Sequence, residues 1–238
     1  MSWDFAAIFL FLAVGVPLLG RRRIRQLMRL PQTTKADRLT LYASTVAFQW
    51  LAAAVILWRT AAHQLPASSL GLAIPSPGLV LLASGLLTAL VLTNQMFSLR
   101  HLPQMPAKQQ GILPELALKV FPQDKTERLA FFAVVVTVSV CEELIFRGFA
   151  QRVLENLFQG SVLEGVLGSS LLFAIAHLYQ GRKGLIATFV VAVLFALTRS
   201  WSLSLVPPMV AHFSADLAAG FLAPARFRGV NLDAKETQ

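Results

Sequence analysis

One cysteine, Cys141, is all that the 238-residue sequence contains, which excludes an internal disulfide and leaves the redox environment unread. Charge is also scarce. Asp, Glu, Lys and Arg make up 14% of the chain, against 55% hydrophobic residues and a mean hydropathy of +0.62. That is too apolar for one soluble core and reads as a polytopic membrane protein. Alternating strands of roughly ten residues, which a closed barrel would show, are missing; the apolar stretches are continuous over roughly 18–22 positions. The expected fold class is therefore all-α, a transmembrane helical bundle of about seven spans, with six to eight as the range. Acidic residues are fewer than basic ones, 12 against 21, for a formal charge of +9. Arg and Lys cluster between apolar stretches, so the excess points to orientation in a lipid bilayer and not to nucleic acid. There is no internal repeat, low-complexity tract or soluble domain.

Hydropathy places spans at 3–20, 39–58, 78–99, 128–146, 162–179, 185–200 and 204–222. The first lacks a basic flank and a small-residue cleavage pattern, so it is expected to be an uncleaved anchor. "RRRIRQLMR" follows it, and the positive-inside rule makes that loop cytoplasmic. By alternation the loops with Arg100, Lys108, Lys119 and Lys125, with Arg182 and Lys183, and with Arg226 and Arg228 are cytoplasmic too. This places a multi-pass protein in the cell (inner) membrane. "QGILPELALKVFP" is too short to cross and is expected at the interface or as a loop. The chain divides into N-terminal helices and basic loops (1–125), a helical core (126–222) and a polar tail (223–238), expected to form one structural unit.

Within this scaffold "CEELIFRGF", residues 141–149, ends a nearly pure hydrocarbon run. A charge at the bilayer centre costs about 2.5–3.5 kcal/mol on insertion scales, so Glu142, Glu143 and Arg147 need a use or an exit from lipid. Glu143 and Arg147 are four apart and can pair along one face, while Glu142 points about 100° away. Phe173 and His177 are also four apart, as are His212 and Asp216. Three apolar helices thus carry groups that lipid rejects, and their convergence on one site is the economical reading. Each has an ordinary reading as well. The Glu143–Arg147 pair can be structural, His177 a hydrogen-bonded packing residue, His212–Asp216 a helix-stabilising pair and Phe173 core. Cys141 reads as a small buried hydrophobe in preference to a nucleophile.

Glu-Glu-x-x-x-Arg at 142–147, Phe-x-x-x-His at 173–177 and His-x-x-x-Asp at 212–216, in that order, resemble the CAAX protease and bacteriocin-processing (Abi) family of intramembrane glutamic proteases. "FRGFAQ" and "LLFAIAHL" are similar to the family's habits, and the resemblance covers roughly residues 126–222. It implies an endopeptidase acting on a membrane-associated peptide, without a cofactor and without nucleic acid. Glu142 and His177 would activate water, and His212 with residue 216 would stabilise the oxyanion. Glu143, Arg147 and Phe173 would order the site or bind substrate. Asparagine stands at the position of Asp216 in the branch that cleaves prenylated proteins, and an ionised aspartate cannot donate a hydrogen bond. Asp216 would instead orient His212.

Depth raises a conflict. Glu142 nears the wrong face under the seven-span placement unless its helix continues to about Phe158 and turns at Gln159 and Gly160. Glu142 then precedes Gln159 by 17 residues (159 − 142) and His177 follows Gly160 by 17 (177 − 160), at matching height. That register pushes the start of the span deep, which requires a kink, a tilt or a further span. Zinc held by two histidines and a glutamate is the chemical alternative, though no His-Glu-x-x-His is present. A catalytically idle binding or chaperone-like protein and a small-solute transporter are the other classes. Neither the inverted repeats nor the paired broken helices usual in transporters are found.

Overall fold

A computed structural model describes residues 2–106 and 110–227, and all the long elements are helices. They are α1 (Trp3–Met28), α2 (Lys35–Ala62), α3 (Pro77–His101), α4 (Leu113–Lys119), α5 (Lys125–Leu157), α6 (Val162–Ala176), α7 (Gly181–Ser202) and α8 (Val206–Phe227). Among the described residues there is no strand, and five helices are long and apolar enough to cross a membrane. The protein is an all-α polytopic bundle. Lys108 and Arg228, two of the expected cytoplasmic charges, lie outside the described residues, as does 228–238 of the expected tail.

Helices α2 and α5 begin side by side. Thr34 closes a capping box with Asp37 at the start of α2, and Asp124 accepts from the Glu127 backbone N–H at 2.9 Å at the start of α5. Lys35 bonds Asp124 at 2.8 Å and holds that carboxyl below the usual carboxylate range. Deeper, Arg38 makes a two-pronged bond to Glu127, Nε to Oε2 at 3.1 Å and Nη2 to Oε1 at 2.8 Å. The two helices therefore run parallel from one end, which is also the end of the Arg21–Arg29 cluster. Helix α4, from the segment expected at the interface or as a loop, is strapped to this end. Lys119 Nζ donates to the Met28 and Leu30 carbonyls at 2.6 and 2.7 Å, and Tyr42 donates to Val120 O at 2.5 Å.

The expected span 128–146 is too short: α5 is 33 residues, about 50 Å against a hydrocarbon thickness of about 30 Å. Its polar first turn, Lys125 to Arg128, precedes the apolar run, so the surplus length resolves the depth conflict. The turn falls at Gln159 (φ 56°) and Gly160 (φ 88°), as the matching-height register requires. Residues Leu144–Ala150 form a π-helical stretch inside α5, the kind of local widening that often marks a functional site. "FRGFAQRVLE" stays helical because its polar groups find partners. Gln151 donates to Glu155 at 3.0 Å and to Ser200 at 2.7 Å, and Arg199 lies 3.5 Å from Glu155.

At the end opposite Arg21–Arg29 a short turn, Ala67–Leu70, dips into the bundle. Leu70 is 2% exposed, Arg199 donates to Ser69 O at 2.7 Å, and the Leu205 N–H donates to Gly71 O at 2.8 Å. Gly148 makes room: a Cβ there would stand 3.1 Å from Leu70 O. Helix α8 packs on α3 and α5. It continues past the expected limit of 222, since Ala223 and Phe227 are buried with Leu99 and Ala117.

Candidate active site

The polar residues of α5 divide between two faces. Glu142 faces a cavity of about 590 Å³ bounded by α1, α2 and α5, whose wall also carries His177, Gln49, Tyr179 and Arg23. Apart from Thr45, the rest of that wall is apolar, from Ala7 and Ile8 near one end to Ile24 near the other. Phe11, Leu51 and Val55 on its rim are exposed, so the cavity is a groove open sideways where lipid would lie. His177 follows the last residue of α6. Its Nδ1 lies 2.8 Å from Phe173 O, and because a carbonyl only accepts, Nδ1 carries the hydrogen and Nε2 is the free ring atom.

Behind Glu142, on the inner face of α5, Glu143 and Arg147 are fully buried. Arg147 Nη1 donates to Glu143 Oε1 at 3.0 Å, and His212 Nδ1 donates to the same oxygen at 2.8 Å. The other side of the His212 ring, Nε2, is 3.5 Å from Asp216 Oδ2. A carboxylate on each flank suits an imidazole with hydrogen on both nitrogens. Phe173 joins the layers. The Arg147 guanidinium lies 4.1 Å from its ring centroid, the His177 ring 4.5 Å and the His212 ring 6.1 Å. Cys141, fully buried, packs with Ala53, Leu144 and Leu205.

All seven residues singled out in the sequence thus fall in one region, but not on one surface. Glu142 and His177 line the groove, whereas His212 and Asp216 do not; Phe173 connects the two sets, its ring 4.5 Å from that of His177 and 6.1 Å from that of His212. Gln49, which sequence reasoning passed over, donates from Nε2 to Glu142 Oε1 at 2.7 Å. A lone amide in the apolar run "VAFQWLAAAVILW" is the signal that marks it.

Residues 124–218 match the family model described as type II CAAX prenyl endopeptidase Rce1-like. This segment is similar to a CAAX-protease domain. It contains Glu142, Glu143, Arg147, Phe173, His177, His212 and Asp216, while Gln49, Arg23 and most of the groove wall come from α1 and α2 outside it. Neither the curated proteins nor the solved structures give a significant match to the chain. The match covers 95 of the 238 residues, and the five long apolar helices support an integral membrane protein.

Proposed function

We propose that the protein is an intramembrane endopeptidase that hydrolyses a peptide bond of a membrane-associated segment with water activated by Glu142 and His177. The observation that carries this reading is the shared wall: one carboxylate and one imidazole whose Nε2 makes no hydrogen bond among the described residues, both facing a mainly apolar groove. Water bonded to both loses a proton to Glu142 while its oxygen adds to the scissile carbonyl carbon. His212, its Nδ1 held by Glu143, offers the developing oxyanion a charge-assisted donor in its Nε2–H, which the 3.5 Å contact with Asp216 holds only loosely. Glu143, Arg147 and Phe173 hold that ring in place. The amide C–N bond then breaks, and Glu142 returns the proton to the leaving nitrogen.

The substrate is an extended apolar peptide that enters sideways from lipid. The wall follows α1 from Ala7 to Ile24, about 25 Å at helical rise, which matches roughly seven or eight extended residues. A prenyl group is not required by this reading. The proposed reaction uses no metal, and activity in the presence of a chelator tests that point. Among the described residues no three His, Cys, Asp or Glu gather as metal ligands.

Purified protein in liposomes, given internally quenched transmembrane peptides, should cleave them with or without chelator. Comparison of membrane proteomes made with wild-type and Glu142→Ala protein should reveal uncut substrates accumulating with the variant. The aspartate at 216 favours one other reading, a catalytically idle binding protein. A complex with a membrane peptide whose function survives loss of Glu142 would establish that reading and sink the proposal.

A further inference from the structure

Glu142 makes one side-chain hydrogen bond among the described residues, and its partner comes from outside the segment 124–218 that matches the family: Gln49 Nε2 donates to Glu142 Oε1 at 2.7 Å. An ionised carboxylate only accepts, so the amide must present nitrogen to it. A lysine or arginine at this position would neutralise the base. A neutral amide orients the carboxylate and leaves it its charge.

Gln49 is also held firmly. Trp50, its neighbour, donates from Nε1 to Thr137 Oγ1 at 3.2 Å, tying α2 to α5 five residues before Glu142. One turn beyond, Ala53 is buried against Cys141 and Leu144. The Arg38–Glu127 pair fixes the two helices at their common start. The amide therefore cannot drift along α5. Packing alone does not call for it, since an apolar side chain of the same length would fill the space without burying Gln49 Oε1, which has no partner among the described residues.

We propose that Gln49 is a positioning residue that gives the two oxygens of Glu142 different tasks. Oε1 is bound by Gln49, and Oε2 is the atom that takes the proton of water. The inference rests on the reading of Glu142 as general base. During the reaction an O–H bond of water breaks, its proton moves to Oε2, and the hydroxide oxygen bonds the carbonyl carbon. When the C–N bond breaks, the proton passes from Oε2 to the amine nitrogen. Oε1 keeps its bond from Gln49 throughout, so no side chain has to rearrange between the two proton transfers.

The test is steady-state kinetics of the full-length protein in liposomes on a quenched membrane peptide, with melting temperatures measured alongside. Gln49→Met removes the amide at equal length, Gln49→Glu keeps the shape without the N–H, and Gln49→His returns a ring N–H at similar reach. Misplacing the base should lower kcat by about 10–100-fold in the Met and Glu variants with KM within about twofold, and His should recover most of the loss. A wild-type kcat in Gln49→Met, a loss confined to KM, or a His variant no better than Met would overturn the assignment. If Gln49→Met does not fold, the contrast between Glu and His decides. Glu142→Gln run beside them separates the two claims. Activity that survives in it refutes the base itself, whereas an inactive Glu142→Gln with an unimpaired Gln49→Met refutes the role of Gln49 alone.

Discussion

Glu143 and His212 stand 69 positions apart in the chain and meet at 2.8 Å, Nδ1 of the ring donating to the oxygen that also receives Arg147. One carboxylate oxygen thus joins α5 to α8, and the burial of all three side chains makes the junction sensitive to loss of any partner.

Arg147→Ala should destabilise the protein. It leaves the Glu143 charge buried with His212 as its remaining partner and removes the cation from the faces of Phe173 and Phe195. Breaking a buried pair costs about 3–5 kcal/mol, and the His212 bond keeps the expected loss at the lower end. Thermal unfolding in detergent is the check. A variant as stable as wild type yet inactive would move Arg147 from support to substrate contact.

Glu142→Gln should behave in the opposite way. The carboxamide keeps the shape in the groove wall but cannot accept the proton of water, so turnover should fall by about 10²–10⁴-fold or more. The melting temperature should stay at the wild-type value, because Glu142 is partly exposed to the groove and takes no part in the Glu143–Arg147–His212 junction. Cleavage that persists in the variant would exchange the roles of the two glutamates.

For Asp216 the two substitutions should diverge. Its side chain is 42% exposed, so neither change should alter stability by more than about 0.5 kcal/mol. Asn retains an oxygen toward His212 and adds a donor, and its rate should remain close to wild type. Ala removes the flank of the ring and should lower kcat by several-fold or more. Equal rates for wild type and Ala would take Asp216 out of the mechanism.

Gly220→Ala tests the packing of α8 on α5. An added Cβ would lie 2.0 Å from Phe131 Cε1, and that ring is already held among Tyr42, Phe121 and Phe221. Overpacking of this kind costs about 1–3 kcal/mol. A lowered melting temperature with near-normal kcat in the folded fraction is expected, and an unchanged melting temperature would show that α8 can shift.

How far the sequence reaches can be judged from particular residues. Hydropathy and the four-residue spacings show which of Glu143 with Arg147, Phe173 with His177 and His212 with Asp216 share a face of one helix, and the cost of leaving such groups in lipid is what points the three helices toward one region. The length of α5 was harder to read. Gln151, Glu155 and Arg199 resemble loop residues by hydropathy, and only their mutual bonding, across 44 positions for Arg199 and Glu155, permits them inside the bundle. The groove wall was illegible, since Ala7, Ile8, Phe11 and Ile56 look like any lipid-facing residues until α1 and α2 are placed. Gln49 carried a local signal, its polarity, but its partner is 93 positions away.

The Leu70 turn, wedged against Gly148 and pinned through Ser69 to Arg199, acts as a stopper on one end of the bundle. A bundle stoppered in this way has a sidedness built into it. Solutes in the two aqueous compartments are not equivalent with respect to Glu142, and a reagent added on the Leu70 side must pull out a buried leucine and strip Arg199 of its carbonyl partner before it advances. For the proposed hydrolysis, the lateral groove and its Arg23 end are then the routes by which water reaches Glu142.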